Sequence, residues 1–198
     1  MMQAEIAVLR FGLGARPGDL AAAAGDPRAW LTQQLKGAVP LAVNTSLAPS
    51  DQIFAELRAA RDELQEMKHE ASPAAASPAL NPVRAAYLPH YRAQVLARAQ
   101  SAALTSRPFA ERLVHFWTSH FAVSADKGAV LGIAGTLENE AIRPHLGGRF
   151  VELLTAVEQH PAMIAFLDNQ YSVGKDSEQA LRAKRRAAEA PKRDFGIN

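Results

Sequence analysis

The sequence predicts an all-α fold: an irregular multi-helix bundle from which a hairpin of two long helices projects. Three observations predict it. Apolar residues recur at three- and four-residue spacings in most segments, alanine is abundant where they do, and no stretch alternates apolar and polar residues over a strand's length. With 198 residues, 48% of them hydrophobic and 21% charged, the chain can bury a core without crosslinks.

The opening segment holds a short apolar run and a glycine-punctuated turn, FGLGARPG. Asp26 before Pro27 predicts an N-cap with proline at the first helical position; Trp30, Leu31 and Leu35 share a face, and Gly37 stops the helix. Ile53, Leu57, Ala60, Leu64 and Met67 form a narrow seam on the next helix, broken at SPAAASP. An alanine-rich helix over 83–105 presents Leu88, Tyr91, Val95, Ala99 and Ala102 in the same rhythm, so these two helices form the hairpin, with Pro89 in the second one's first turn or kinking it.

Pro108 opens the next helix, where Phe109, Leu113, Phe116, Trp117, His120 and Phe121 make an aromatic stripe expected at the centre of the core. Ile133, Leu137 and Ala141 recur up to Arg143, and Pro144 ends that helix. Phe150, Leu153, Leu154 and Val157 define another apolar face, and His160-Pro161 starts a short last helix. The reading therefore divides the chain at 174: residues 1–174 form the helical domain, and 175–198 a charged, exposed loop or tail without an apolar face.

Composition excludes several functions. Without cysteine there is no disulfide, thiolate metal site or cysteine nucleophile. No run approaches the roughly 20 apolar residues of a membrane span, and the amino-terminal run is broken by Arg10 and Gly12 before it could serve as a signal peptide, so a cytoplasmic protein is the default expectation. Between Lys175 and Asp194 seven Lys/Arg face four Asp/Glu, an excess larger than the whole chain's +2. The rest is nearly neutral, and RAKRRAAEAPKR has no aromatic residue to stack on bases; nucleic-acid binding is disfavoured. FGLGARPG lacks the GKS/T ending of a phosphate loop, and no GxSxG elbow is present.

The candidate site is a polar cluster of His120, His145, His160, Asp168 and Asn169, with Glu140 and Arg143 nearby in sequence. His120, His145, His160 and Asp168 are the residues that could ligate a divalent metal, or share general acid–base work. Each also has a plainer reading. His120 suits a core histidine beneath Trp117; His145 and His160 flank prolines at helix boundaries, where imidazoles cap; Asp168 ends a helix and calls for compensation by Arg143 or Arg149; Asn169 suits a left-handed stop. No two histidines stand at the four-residue spacing of a shared helix face.

Four strings, RFGLGARPGDL, ERLVHFWTSHFAVS, ENEAIRPHLGGRFVELLTAVEQHPAM and AFLDNQYSVG, together resemble, from Leu9 to Gly174, the bacterial family catalogued as domain of unknown function 1800. The resemblance implies a helical fold and a longer protein, continuing into a segment of the type GLNENxARExxELHxxG whose first residues Gly196, Ile197 and Asn198 resemble. Where the family often reads FWHNHF or FWxNHF, this chain has Phe116-Trp117-Thr118-Ser119-His120-Phe121, keeping the second histidine and replacing the polar positions before it. The expected function is thus that of a fragment with a structural or interaction role, its partners being the missing carboxy-terminal half or a second copy held through exposed apolar surface near Phe150 to Leu167. The alternative is a share of a metal-dependent, hydrolase-like site completed by that half.

Overall fold

The computed structural model describes residues 2–43, 45–70 and 82–189, and among them it is helical with no strand. The chain divides into two compact units, Met1–Leu167 and Asp168–Asn198, seven residues earlier than the composition change at 174.

The first unit opens with α1 (Met2–Phe11), α2 (Asp19–Ala23) and α3 (Pro27–Gln33), which enclose a small core of Ala4, Val8 and Ala23 under Trp30. The opening apolar run is thus a helix. Asp26 caps α3 as its sequence predicts, accepting the Ala29 N–H at 2.9 Å, and Gly37 turns left-handed (φ 70°) beyond the helix. The end of α3 is clamped from a distance: the Arg107 guanidinium donates to the carbonyls of Gln34, Lys36 and Ala38, and the Gln34 side chain accepts the Phe109 N–H at 2.8 Å.

Helices α4 (Ser50–Glu70) and α5 (Pro82–Leu104) form the expected antiparallel pair, since Glu56 meets His90 and, further along α4, Arg61 acts on Tyr87. The SPAAASP break and the Met67 side chain lie outside the described residues. Ile53 and Leu57 are buried as predicted, but the α5 seam is rotated. Tyr87, Gln94, Ala97 and Ser101 face inward, while Val95 is 49% exposed. The inner polar groups are satisfied by loops. Gln94 donates to the Gly132 carbonyl and accepts the Gly135 N–H, both at 2.9 Å, and the Ser101 hydroxyl accepts the Ala42 N–H at 3.0 Å. Pro89 sits inside α5, beyond its first turn.

Helix α6 (Pro108–His120) enters the main core through its small face, Ala110 and Val114, and not through the aromatic stripe. Phe116 is 54% exposed and Trp117 and Phe121 are only partly buried, because small residues let α6 lie close against the segment that follows. That segment is α7 (Ala134–Thr136), a π turn (Leu137–Ile142) and α8 (Arg143–His145), so Pro144 lies within the helical run and does not end it. The wide turn makes this possible, since the register shifts to i→i+5 just before a residue that has no N–H to donate. Helices α9 (Phe150–Glu158) and α10 (Pro161–Phe166) start where predicted and bring Leu153, Val157, Ala162 and Met163 into the core. Phe150 and Leu167 are 54% and 58% exposed.

In the second unit a 3-10 turn (Asn169–Tyr171) precedes α11 (Glu178–Glu189). The expected loop is thus largely helical over its described part. Ser177 accepts the Ala180 N–H at its start and Glu178 pairs with Arg182 one turn on, local bonds that suffice without an apolar face. Residues 190–198, including Gly196, Ile197 and Asn198, lie outside the described residues.

Candidate functional site

Three charged side chains meet at the centre of the first unit. Glu111 of α6 (0% exposed) and Glu138 of the π turn (3%) share the guanidinium of Arg143 (2%). Arg143 Nη2 lies 2.6 Å from Glu111 Oε1 and 2.7 Å from Glu138 Oε1, and Nη1 lies 2.9 Å from Glu111 Oε2. Glu138 and Arg143 are five residues apart, about 140° around an ordinary α-helix. The i→i+5 closure of the π turn brings them to one side. One cation does not balance two carboxylates; Arg98 supplies the second, its Nε 3.0 Å from Glu138 Oε2, where the Thr118 hydroxyl also donates at 3.1 Å. Burial works against the charge on Arg143, but its hydrogen bonds and attraction to Glu111 and Glu138 outweigh that and push its pKa up. Beside the cluster, His115 is pushed below the usual imidazole range by burial, with Arg98 adding to the effect, and is neutral at pH 7. Its Nε2 is buried without a hydrogen-bond partner among the described residues, Glu111 Oε1 being 3.7 Å away.

Two residues past Glu138, Glu140 faces a different set of groups. It accepts the Ser50 N–H and the Ser50 hydroxyl, both at 2.7 Å, which caps the first turn of α4. Its Oε2 is also 3.1 Å from His160 Nε2. His160 Nδ1 accepts the Ala162 N–H at 3.1 Å, capping α10 and leaving the ring proton on Nε2 to donate to Glu140. Burial pushes the Glu140 carboxyl up, but the hydrogen bonds from His160 and Ser50 prevail and hold it below the usual range. The serine hydroxyl is spent on the carboxylate and not on the imidazole, so the order of groups is not that of an activated nucleophile.

Of the residues expected to converge, Glu140 and His160 do. Arg143 joins Glu111 and Glu138 instead, so it is committed to other carboxylates than Asp168. His120 is exposed, not a core residue beneath Trp117; it packs against the rings of Phe116, Trp117 and Phe121, part of an aromatic ladder continued by Phe150, 5.7 Å from Trp117. His145 Nδ1 bonds the Ala141 carbonyl at 2.8 Å, the capping role its position suggests. Asp168 and Asn169 belong to the second unit, and the left-handed residue is Asp168 (φ 57°), not Asn169, which opens the 3-10 turn. Carboxylates of aspartate tolerate that conformation almost as well as asparagine. Among the described residues no group of three or more His, Asp or Glu could hold a metal ion.

Sequence reasoning missed Glu111, Glu138, Arg98 and Ser50. A signal existed for the first two: Glu111 stands one residue after Ala110 and three before Val114, on a buried register, and Glu138 directly follows Leu137. Charges at such positions need partners.

Glu138 and Arg98 also line a cleft of about 450 Å³ whose polar lining includes Ser119, Asp126 and Asn139, with Tyr91, Val95 and Leu137 as apolar walls. The Arg98 side chain is 42% exposed, with only Nε on Glu138. The Oδ1 of Asn139 is buried and has no hydrogen-bond partner among the described residues.

A family model described as "Protein of unknown function (DUF1800)" matches residues 6–181. No curated protein and no solved structure matches the chain.

Proposed function

This chain belongs to the DUF1800 family, and from that premise we propose that the domain acts by binding: its cleft takes a small monocarboxylate that also carries a hydroxyl or amino donor. The observation that carries the reading is a half-exposed guanidinium fork, Arg98, in one cleft with the exposed polar side chains of Ser119 and Asp126. The fork suits a planar carboxylate, and the Ser119 hydroxyl and Asp126 carboxylate can accept a ligand's hydroxyl or amino donor. A single negative charge fits best, because Glu138 and Asp126 line the same space and repel a dianion. The volume lies within the range of small-ligand sites, about 300–1,000 Å³.

Thermal-shift and calorimetric titration with gluconate tests this, with sorbitol (no carboxylate) and hexanoate (no hydroxyl) as controls. Gluconate alone should raise the melting temperature, and the effect should vanish in Arg98→Gln. Equal shifts from sorbitol, or none from gluconate at millimolar concentration, would sink the proposal.

The share of a metal-dependent, hydrolase-like site retains one favouring observation, the Glu140–His160 contact at the start of two helices. Zinc titration decides that reading: binding abolished by His160→Asn supports it, and the absence of any zinc-dependent stabilisation removes it.

A further inference from the structure

Helix α1 is apolar on two sides. One buries Ala4, Ala7 and Val8; the other leaves Met2 72%, Ile6 46% and Leu9 59% exposed, and Leu13, just past the helix, 38%. Within the helix Met2, Ile6 and Leu9 are spaced four and three apart, the rhythm of a coiled-coil seam with Met2 and Leu9 at d and Ile6 at a, and Leu13 extends the exposed patch beyond the helix end. Glu5 then falls at g and Arg10 at the following e, on opposite flanks of the seam, both exposed and without ion-pair partners among the described residues.

We propose that α1 is a self-association surface, pairing in parallel with α1 of a second copy of this chain. The flanking charges select both the occupant and its direction. In a parallel two-fold pair each g residue faces the e residue five places on in the partner, so Glu5 meets the partner's Arg10 and the contact occurs twice. An antiparallel pair would put both glutamates on one flank and both arginines on the other, with no Glu5–Arg10 contact. Isoleucine at a with leucine at d is the combination that favours two strands. Because α1 is already held on Ala4, Ala7 and Val8 by the rest of the domain, pairing does not have to order the helix. The seam spans fewer than two heptads, so the dimer is weak and concentration-dependent.

Sedimentation equilibrium of the full chain over a concentration series tests this. The chain should pass from monomer to dimer; Ile6→Ser should abolish the dimer; Glu5→Arg or Arg10→Glu alone should weaken it about tenfold, and the two together should restore it. Circular dichroism confirms that these surface variants fold. The chain contains no cysteine, so an introduced one reports direction without background. Met2→Cys should crosslink to itself on oxidation in the parallel pair, whereas preferential crosslinking of Met2→Cys to Leu13→Cys would mean the antiparallel one and overturn the proposal. A monomer at every concentration, or a dimer indifferent to Ile6→Ser and to the charge swaps, would overturn it too. Gluconate titration is independent of either result.

Discussion

Glu138 and Glu140 stand two residues apart on one π turn and meet opposite circumstances. Glu138, 3% exposed, is set against guanidinium groups; Glu140, with about a third of its side chain in solvent (32%), is set against an amide, a hydroxyl and an imidazole. The first is a lock between helices, in which charge must balance because water cannot help. The second is a cap, in which hydrogen bonds satisfy a helix end and charge balance matters less. Residue type alone does not assign the role; the partner and the depth of burial do.

The sharpest way to break this comparison is Arg143→Leu. It leaves Glu111 and Glu138 buried with Arg98 alone to offset them, and should cost about 3–5 kcal/mol by chemical denaturation. If the loss were no larger than that of a cap variant, the lock would be a misreading. Glu140→Ala, by contrast, should cost about 1–2 kcal/mol and show faster amide exchange in the first turn of α4.

Acid titration separates the two clusters further. The Glu140 carboxyl is held below its ordinary range, so its contribution is fully present above the ordinary glutamate pKa, about 4.3, and is lost as pH falls through the lower folded value. The stability gap between the wild type and Glu140→Gln should be level above that pH and close below it. His115, beside the lock, is depressed by burial, so the unfolded chain takes up its proton first. Stability should therefore decline as pH drops below about 6.5, and His115→Gln should remove part of that slope. The smallest effect lies outside both clusters: Phe116→Ser with Phe150→Ser should change stability by only about 0.5 kcal/mol while reducing binding of a hydrophobic dye.

Helix boundaries were legible where local chemistry decides them, as at Asp26-Pro27, Pro108 and His160-Pro161. The inward faces of α5 and α6 were not. There distant loops supply partners for Gln94 and Ser101, and small residues, not rings, face the core. Apolar periodicity scores side chains by their own character and is blind to such long-range satisfaction. The site was half legible for a related reason: histidines attract attention, whereas Glu111 and Glu138 became meaningful only once a shift of helical register aimed Arg143 between them.

That wide turn amounts to one residue more than a regular helix over Leu137–Ile142 would need. Removing one residue between Glu138 and Arg143 would let the segment wind as an ordinary α-helix with the two groups four apart, about 40° around the axis and still on one side. Chemistry, at this spot, is therefore more constrained than length: a single-codon deletion between Glu138 and Arg143 should cost less stability than Arg143→Leu.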